Sequence, residues 1–289
     1  MTAVVHAAPP SLATMKVAIE RGDVDEASRQ GVLAGTAVVE AALASHDRTT
    51  VLAGIAAAPH VEDRVELLEP LSVIARGPDR RTAIPAARAA AQIAREVAQQ
   101  EPADDIADAD IVAWRDRWGD IALDRARWIE VRVLAIDVAA YAERSRLIPA
   151  GTAAPGLSRT ALDLARGDGT GVPLAPALAD PDPAIRSAAM AHLPSPLPPE
   201  LRDPLAKVVV SDIDPHVALA ASAVLCADIA FDPPAPILSA LGPAGITRIQ
   251  TIVSTDGASR GALREAARCL AADKSPASLA ALRKIRNLR

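Results

Sequence analysis

Apolar residues recur every three or four positions along most of the chain, whereas alternation with a period of two is rare. The segment 182–193 shows the pattern most clearly. Asp182 is a favoured helix cap, and Pro183 suits the first helical position because its missing N–H costs nothing there. The residues that follow form one apolar stripe, made of Ile185, Ala188, Ala189 and Leu193. Such spacing predicts an amphipathic helix.

The same periodicity predicts helices along the whole chain, separated by Gly, Pro and Asp turn signals. They are expected at 11–22, 24–33, 36–45, 62–76, 80–98, 111–118, 124–144, 158–166, 173–179, 183–193, 199–210, 215–229, 234–241, 243–253, 258–271 and 276–286, with a further apolar stretch at 51–55. Pro70 predicts a kink or a new start inside the helix at 62–76, and Gly119 predicts the end of the helix at 111–118. The segments 99–110 and 149–156 are predicted to be loops.

Similar units recur along the chain. The first branched apolar residues of the expected second helices are Val51, Ile84, Val131, Ile185, Val217 and Leu263, at intervals of 33, 47, 54, 32 and 46 residues. Two-helix repeats typically span about 30–47 residues. The segments 182–186, 131–135 and 263–267 resemble the second helix of a HEAT repeat. The units that begin at Val51, Ile84 and Val217 fit less well, because Leu52, Pro85 and Ala218 stand where that family usually has arginine.

The resemblance to HEAT repeats implies an all-α fold, a right-handed α-α superhelix (solenoid) of stacked helical hairpins. It implies one such solenoid over 11–286. The sequence also predicts a candidate lobe boundary near 149–158 and a disordered segment at 1–10. Stacking would bury the apolar faces that a single hairpin cannot cover alone.

Composition narrows the classes of function. The 289 residues carry a net charge of −5 and only 2% aromatic residues, which argues against nucleic acid as a partner. No apolar run approaches the ~20 residues needed to span a membrane. Cys226 and Cys269 are expected to be small buried side chains, with a disulfide as the alternative in an oxidising compartment. The chain as written predicts a cytoplasmic protein, with export as the alternative if Met1–Ala7 is the remnant of a longer signal peptide.

The candidate chemical motifs are weak. The run 167–171 is glycine-rich but lacks the Lys and Ser/Thr of a phosphate loop, and it is expected to be a connector. The five histidines have no metal-ligand spacing, and the aspartates at 104, 105, 108 and 110 are expected to lie in a solvated loop. The sequence therefore predicts no catalytic residue, cofactor or metal.

Arginines recur every seven residues on the helix at 80–98, at Arg81, Arg88 and Arg95. They are expected to form an ordinary solvated face or, alternatively, to contact an acidic partner segment. Glu130, Asp137 and Arg186 are further candidate contacts. Trp114, Trp118 and Trp128 are expected to pack between units rather than to form a binding cluster.

The HEAT resemblance implies a non-enzymatic scaffold that binds an unidentified protein or peptide along a concave face. The alternatives are an accessory subunit of an enzyme, as in HEAT-like lyases, and a nucleic-acid-binding module, against which the charge argues.

Overall fold

The computed structural model describes residues 11–99, 108–144, 174–255 and 258–287. All regular elements within these ranges are helical, so the predicted all-α class is confirmed there. The chain divides into two compact units, residues 1–166 and 167–289. The predicted disorder at 1–10, the helix at 158–166 and the boundary near 149–158 lie outside the described residues.

Unit 1, residues 1–166, contains eight helices within its described ranges. They are α1 (Leu12–Glu20), α2 (Val24–Ala34), α3 (Thr36–Leu43), α4 (Arg48–Ala57), α5 (Leu68–Ala75), α6 (Arg80–Gln99), α7 (Asp108–Leu123) and α8 (Ile129–Arg144), with 3₁₀ turns at Ala58–His60 and Arg64–Leu67.

The helices of unit 1 pack in consecutive pairs, α1 with α2, α3 with α4, α5 with α6 and α7 with α8. The second helix of each pair also contacts the second helix of the next, in the order α2, α4, α6, α8. Small residues permit this close packing: a Cβ added at Gly31 of α2 would lie 2.1 Å from the Cβ of Ala57 in α4.

Unit 2, residues 167–289, contains seven helices in its described part. They are α9 (Leu174–Leu178), α10 (Pro183–Ala191), α11 (Pro199–Ser211), α12 (Pro215–Ala227), α13 (Pro234–Ile252), α14 (Arg260–Asp273) and α15 (Pro276–Asn287). The backbone of α13 breaks at Gly242, whose φ of 58° is left-handed, so the two predicted helices at 234–241 and 243–253 are confirmed as separate segments.

Unit 2 repeats the arrangement of paired helices. α9 packs with α10, α11 with α12, and α13 with α14, while α15 packs on α14. The second helices α10, α12 and α14 contact one another in order, and so do the first helices α9, α11, α13 and α15.

Two aspartates before each of two second helices build the turns of unit 2. Asp182 and Asp214 cap α10 and α12, and each accepts a backbone N–H at 2.8 Å. The aspartate two residues earlier, Asp180 or Asp212, accepts the N–H of the capping residue at 2.8 and 3.0 Å. The repeat of Asp-x-Asp-Pro at an interval of 32 residues therefore reflects a repeated turn.

Cys226 of α12 and Cys269 of α14 form a disulfide, and both residues are fully buried. Their predicted burial is confirmed. The structure shows the disulfide, which was the alternative, and not the two unpaired thiols that the sequence favoured. The bond joins the second helices of neighbouring pairs in unit 2.

The structure corrects three boundaries in unit 1. α7 continues through Gly119 to Leu123, because Trp118, Ile121 and Ala122 are all buried and the packing outweighs the weak helix propensity of glycine. α7 also begins at Asp108, inside the predicted loop 99–110. α8 begins at residue 129 instead of 124, since the Asp124 carboxylate accepts the Ala126 N–H and stabilises a turn there.

No helix in the described ranges is both long and apolar enough to cross a membrane.

Candidate functional site

The exposed face of α6 carries the arginine stripe, defined as Arg81, Arg88 and Arg95, all three of which are exposed. The opposite face of α6 is buried and consists mostly of alanine: Ala83, Ala86, Ala87, Ala90, Ala91, Ile93 and Ala94. Burial of this face fixes the rotation of the helix, so residues seven apart emerge on one line of the opposite surface.

The stripe borders α8, which runs alongside α6. At one end, Arg80 Nη2 donates to Glu130 Oε1 at 2.5 Å, and its guanidinium carbon lies 5.4 Å from the ring centroid of Trp128. At the other end, the Arg95 guanidinium carbon lies 5.6 Å from the ring centroid of Tyr141. Early residues of α6 thus meet early residues of α8, and late residues meet late ones, so the two helices are parallel.

Asp137 lies between these contacts on α8 and is half-buried. Burial raises its pKa from 3.8 to about 6, and the nearby positive charge of Arg95 offsets only part of this rise. The carboxyl group therefore changes charge close to neutral pH, beside one of the three arginines of the stripe.

Arg81 and Arg88 form no ion pair with any acid in the described residues. Two unpaired guanidinium groups on a helix surface, with Tyr141 on the neighbouring helix and Trp128 just before it, can bind carboxylates and stack on planar groups. The surface formed by the exposed faces of α6 and α8 is called the α6–α8 surface below.

The other predicted contact residues fall into different surroundings. Glu130 is on the α6–α8 surface but is paired with Arg80. Arg186 lies in unit 2, where its Nε donates to Asp212 Oδ2 at 2.7 Å and its Nη1 to the Asp180 carbonyl at 2.6 Å. Its guanidinium therefore stabilises the turns of unit 2. Whether any of these residues contacts a partner stays a prediction.

The three tryptophans have different environments. Trp118 is completely buried, as the packing interpretation expects. Trp114 is half-buried. Trp128, which was also expected to pack between units, is 43% exposed because it precedes the first residue of α8 and lies against Arg80.

Sequence reasoning missed Tyr141 and Arg80 as parts of this surface. Arg80 does not share the seven-residue spacing of the stripe. Which side of α6 it occupies depends on the rotation of the helix, and the buried alanines determine that rotation. Tyr141 is the single tyrosine of the chain, and helical spacing from Asp137 would have placed it on the same face of α8.

Side chains that could bind a metal ion do not cluster in the described residues. No group of three or more His, Cys, Asp or Glu side chains comes together there. The glycine-rich run 167–171 lies outside the described residues, as do positions 104 and 105 of the aspartate cluster.

A cleft of about 860 Å³ lies in unit 2, where the α9–α10 and α11–α12 turns meet. Most of its charged side chains already make contacts within the protein. Asp180, Asp212 and Asp214 all accept backbone N–H groups, and Arg186 pairs with Asp212. The cleft therefore offers fewer available charges than the α6–α8 surface.

Comparison with protein-family models, with characterised proteins and with solved structures found no match to this chain.

Proposed function

We propose that the protein is a non-enzymatic helical-repeat scaffold that binds an acidic segment of a protein partner on the α6–α8 surface. The observation that supports this most directly is the arginine stripe. Its three cations are all exposed, and Arg81 and Arg88 have no acidic partner in the described residues. Charged side chains held on a rigid helix give both specificity and a fast association rate.

The proposed architecture is a HEAT-like stack within each unit, in which the second helices line a concave face. The ordered contacts among α2, α4, α6 and α8, and among α10, α12 and α14, support it. Parallel second helices beside one another are what successive two-helix repeats require. The right-handed superhelical twist stays a prediction.

Affinity purification from the source organism tests the function, with wild-type protein compared with Arg88→Glu/Arg95→Glu. The two substitutions reverse exposed charges and leave the buried alanine face of α6 intact, so the fold is expected to persist. We expect a partner with an acidic segment to be captured by the wild type and lost from the variant.

A matched control is Lys207→Glu, which reverses one exposed cation on α11 of unit 2 and leaves unit 1 unchanged. This variant should retain the partner. If the stripe variant captures the same proteins as the wild type, or if the captured partner binds equally well at high salt, the proposal is wrong.

A further inference from the structure

The last two described helices carry an unusual excess of positive charge. Residues 258–287 contain seven cations, which are Arg260, Arg264, Arg268, Lys274, Arg283, Lys284 and Arg286. The same segment has only two acids, Glu265 and Asp273, although the whole chain has a net charge of −5. All seven cations are exposed, so this part of unit 2 presents a basic surface.

An apolar groove of about 390 Å³ lies between α14 and α15 within this basic surface. It is lined by Ala267 of α14 and by Leu279, Leu282, Arg283, Ile285 and Arg286 of α15. Leu279 is 46% exposed, which is high for a leucine in a folded unit. We call this feature the α14–α15 groove.

Cations lie on both helices that form the groove. Arg283 and Arg286 line it from α15, and neither forms an ion pair with an acid of the described residues. On α14, Arg260 and Arg264 lie seven and three residues before Ala267, so helical spacing puts them on the same side as the groove. The groove therefore has an apolar floor and a basic edge on α15, and Arg260 and Arg264 extend the positive charge along the same side of α14.

The interior of unit 2 shows what such a groove accommodates. α14 packs against both α12 and α13, a second helix and the first helix that follows it. α14 and α15 have the same relation, and the groove lies between them. The residues of α14 that are buried are Leu263, Ala266, Cys269 and Leu270, the narrow apolar stripe of one amphipathic helix. A groove of this kind thus fits a helix.

We propose that the α14–α15 groove binds an amphipathic helix of a protein partner, with small apolar residues along its contact stripe and acidic residues at both flanks. The apolar stripe would cover Leu279 and Leu282, and the carboxylates would pair with Arg260 and Arg264 on α14 and with Arg283 and Arg286 on α15. This is helix-in-groove recognition with charge complementarity. It concerns unit 2 and does not depend on the α6–α8 surface.

A hydrocarbon-stapled peptide supplies the probe, with the staple joining positions 261 and 265 on the side of the helix opposite its apolar stripe. It has the sequence of residues 260–273, with Arg260, Arg264 and Arg268 replaced by Glu and Cys269 by Ala. The staple is needed because a free helix of this length is marginal in water. A second peptide keeps the three arginines and has the same apolar stripe. Binding of each labelled peptide to the full-length protein is measured by fluorescence anisotropy at low salt.

We expect the acidic peptide to bind at least about tenfold tighter than the arginine-bearing peptide, and to weaken as salt is added. Arg283→Glu/Arg286→Glu should weaken its binding by at least about tenfold, since both cations border the groove. Lys207→Glu is the matched control and should leave its affinity unchanged, because it reverses an exposed cation on α11 that belongs neither to the groove nor to the α6–α8 surface. Circular dichroism of each variant checks that the fold is retained.

Three results would overturn the proposal. One is equal binding of the two peptides, or no binding of either. Another is sedimentation of the wild-type protein with vesicles of equal phosphatidylcholine and phosphatidylglycerol that the acidic peptide does not inhibit, which would assign the surface to a membrane. The third is concentration-dependent dimerisation, seen by analytical ultracentrifugation, that the peptide dissolves, which would assign the groove to a second copy of this chain.

Discussion

At the scale of single residues, two acidic side chains of this protein have opposite surroundings. Asp212 has a side chain that is only 1% exposed, and it is paired with Arg186 at 2.7 Å. Asp137 is half-buried, and burial raises its pKa by more than the positive charge of the nearby Arg95 lowers it. The first charge is compensated by a close partner, whereas the second is not, so their removal should have opposite effects on stability.

Arg186→Ala is expected to lower the free energy of unfolding by about 3 kcal/mol, because it leaves the Asp212 carboxylate buried without its ionic partner. Urea unfolding followed by circular dichroism measures the change. Adding Asp212→Asn to the same chain removes the stranded charge, so the double variant should be more stable than Arg186→Ala alone.

Arg264→Ala provides the comparison for that experiment. Arg264 pairs with Glu265, but its side chain is 72% exposed, so water screens the interaction. Its loss should change stability by less than about 0.5 kcal/mol. An equal loss for the two arginine variants would show that the burial of Asp212 has no energetic consequence.

Asp137→Asn is expected to stabilise the protein at pH 7.5 and to stabilise it clearly less at pH 4.5. Burial raises the folded-state pKa to about 6, above the unfolded value near 4, so the folded protein holds the proton more tightly. The associated stability is present below about pH 4 and is lost as the pH rises through 6. The gain at pH 7.5 should be on the order of 2 kcal/mol.

Unfolding of wild type and Asp137→Asn at both pH values tests this. Asp124, which is partly exposed and accepts from Ala126 and Arg127, is the control site. Hydrogen bonding to Arg127 lowers the Asp124 pKa, so Asp124→Asn should not stabilise the protein at pH 7.5. A pH-independent effect of Asp137→Asn would contradict the raised pKa.

At the scale of helices, the close approach of α2 and α4 depends on the missing side chain of Gly31. A Cβ there would lie 2.1 Å from the Cβ of Ala57, so Gly31→Ala must push the two helices apart. The gain in helix propensity from alanine is only about 1 kcal/mol. We expect a net loss of about 1–3 kcal/mol, measured as a shift of the urea midpoint.

Gly261→Ala separates the propensity effect from the packing effect. Gly261 is exposed in the first turn of α14, and the nearest atom to an added Cβ is Ser259 Oγ at 3.6 Å. Alanine should therefore be neutral or slightly stabilising there. If Gly31→Ala were equally harmless, the close contact between α2 and α4 would not be required for the fold.

The helices were largely predictable because local sequence carries their signals. Asp182 and Asp214 precede prolines at the first helical position, and the structure shows both as caps. Gly119 failed as a stop signal because burial of its neighbours in α7 outweighs a local preference that is worth only about 1 kcal/mol. Tertiary packing against α8 is not visible in the local pattern.

The α6–α8 surface was predictable only in part. The seven-residue spacing gave Arg81, Arg88 and Arg95 their common face, because a helix repeats nearly every seven residues. Nothing in that spacing indicates which helix lies beside them. The contacts of Arg80 with Trp128 and of Arg95 with Tyr141 join positions 48 and 46 residues apart, and they depend on how α6 and α8 align.

At the scale of the whole molecule, reduction of the disulfide should affect one of the two units and not the other. Cys226 and Cys269 both lie in unit 2 and close a loop of 43 residues. Loop closure of this length restricts the unfolded chain by about 4 kcal/mol, a large fraction of the stability of a typical domain. Unit 1 has no cysteine at all, since the chain contains only these two.

Refolding in a reductant, or replacement of both cysteines by alanine, should therefore destabilise unit 2 and leave unit 1 unchanged. Hydrogen exchange read out by mass spectrometry resolves the two, because peptides from α12 and α14 should lose protection while peptides from α4 and α6 keep theirs. Uniform loss across both units would mean that they unfold together. A large effect confined to unit 2 would show that its stability requires the thiols to be oxidised, which favours a compartment where disulfides persist.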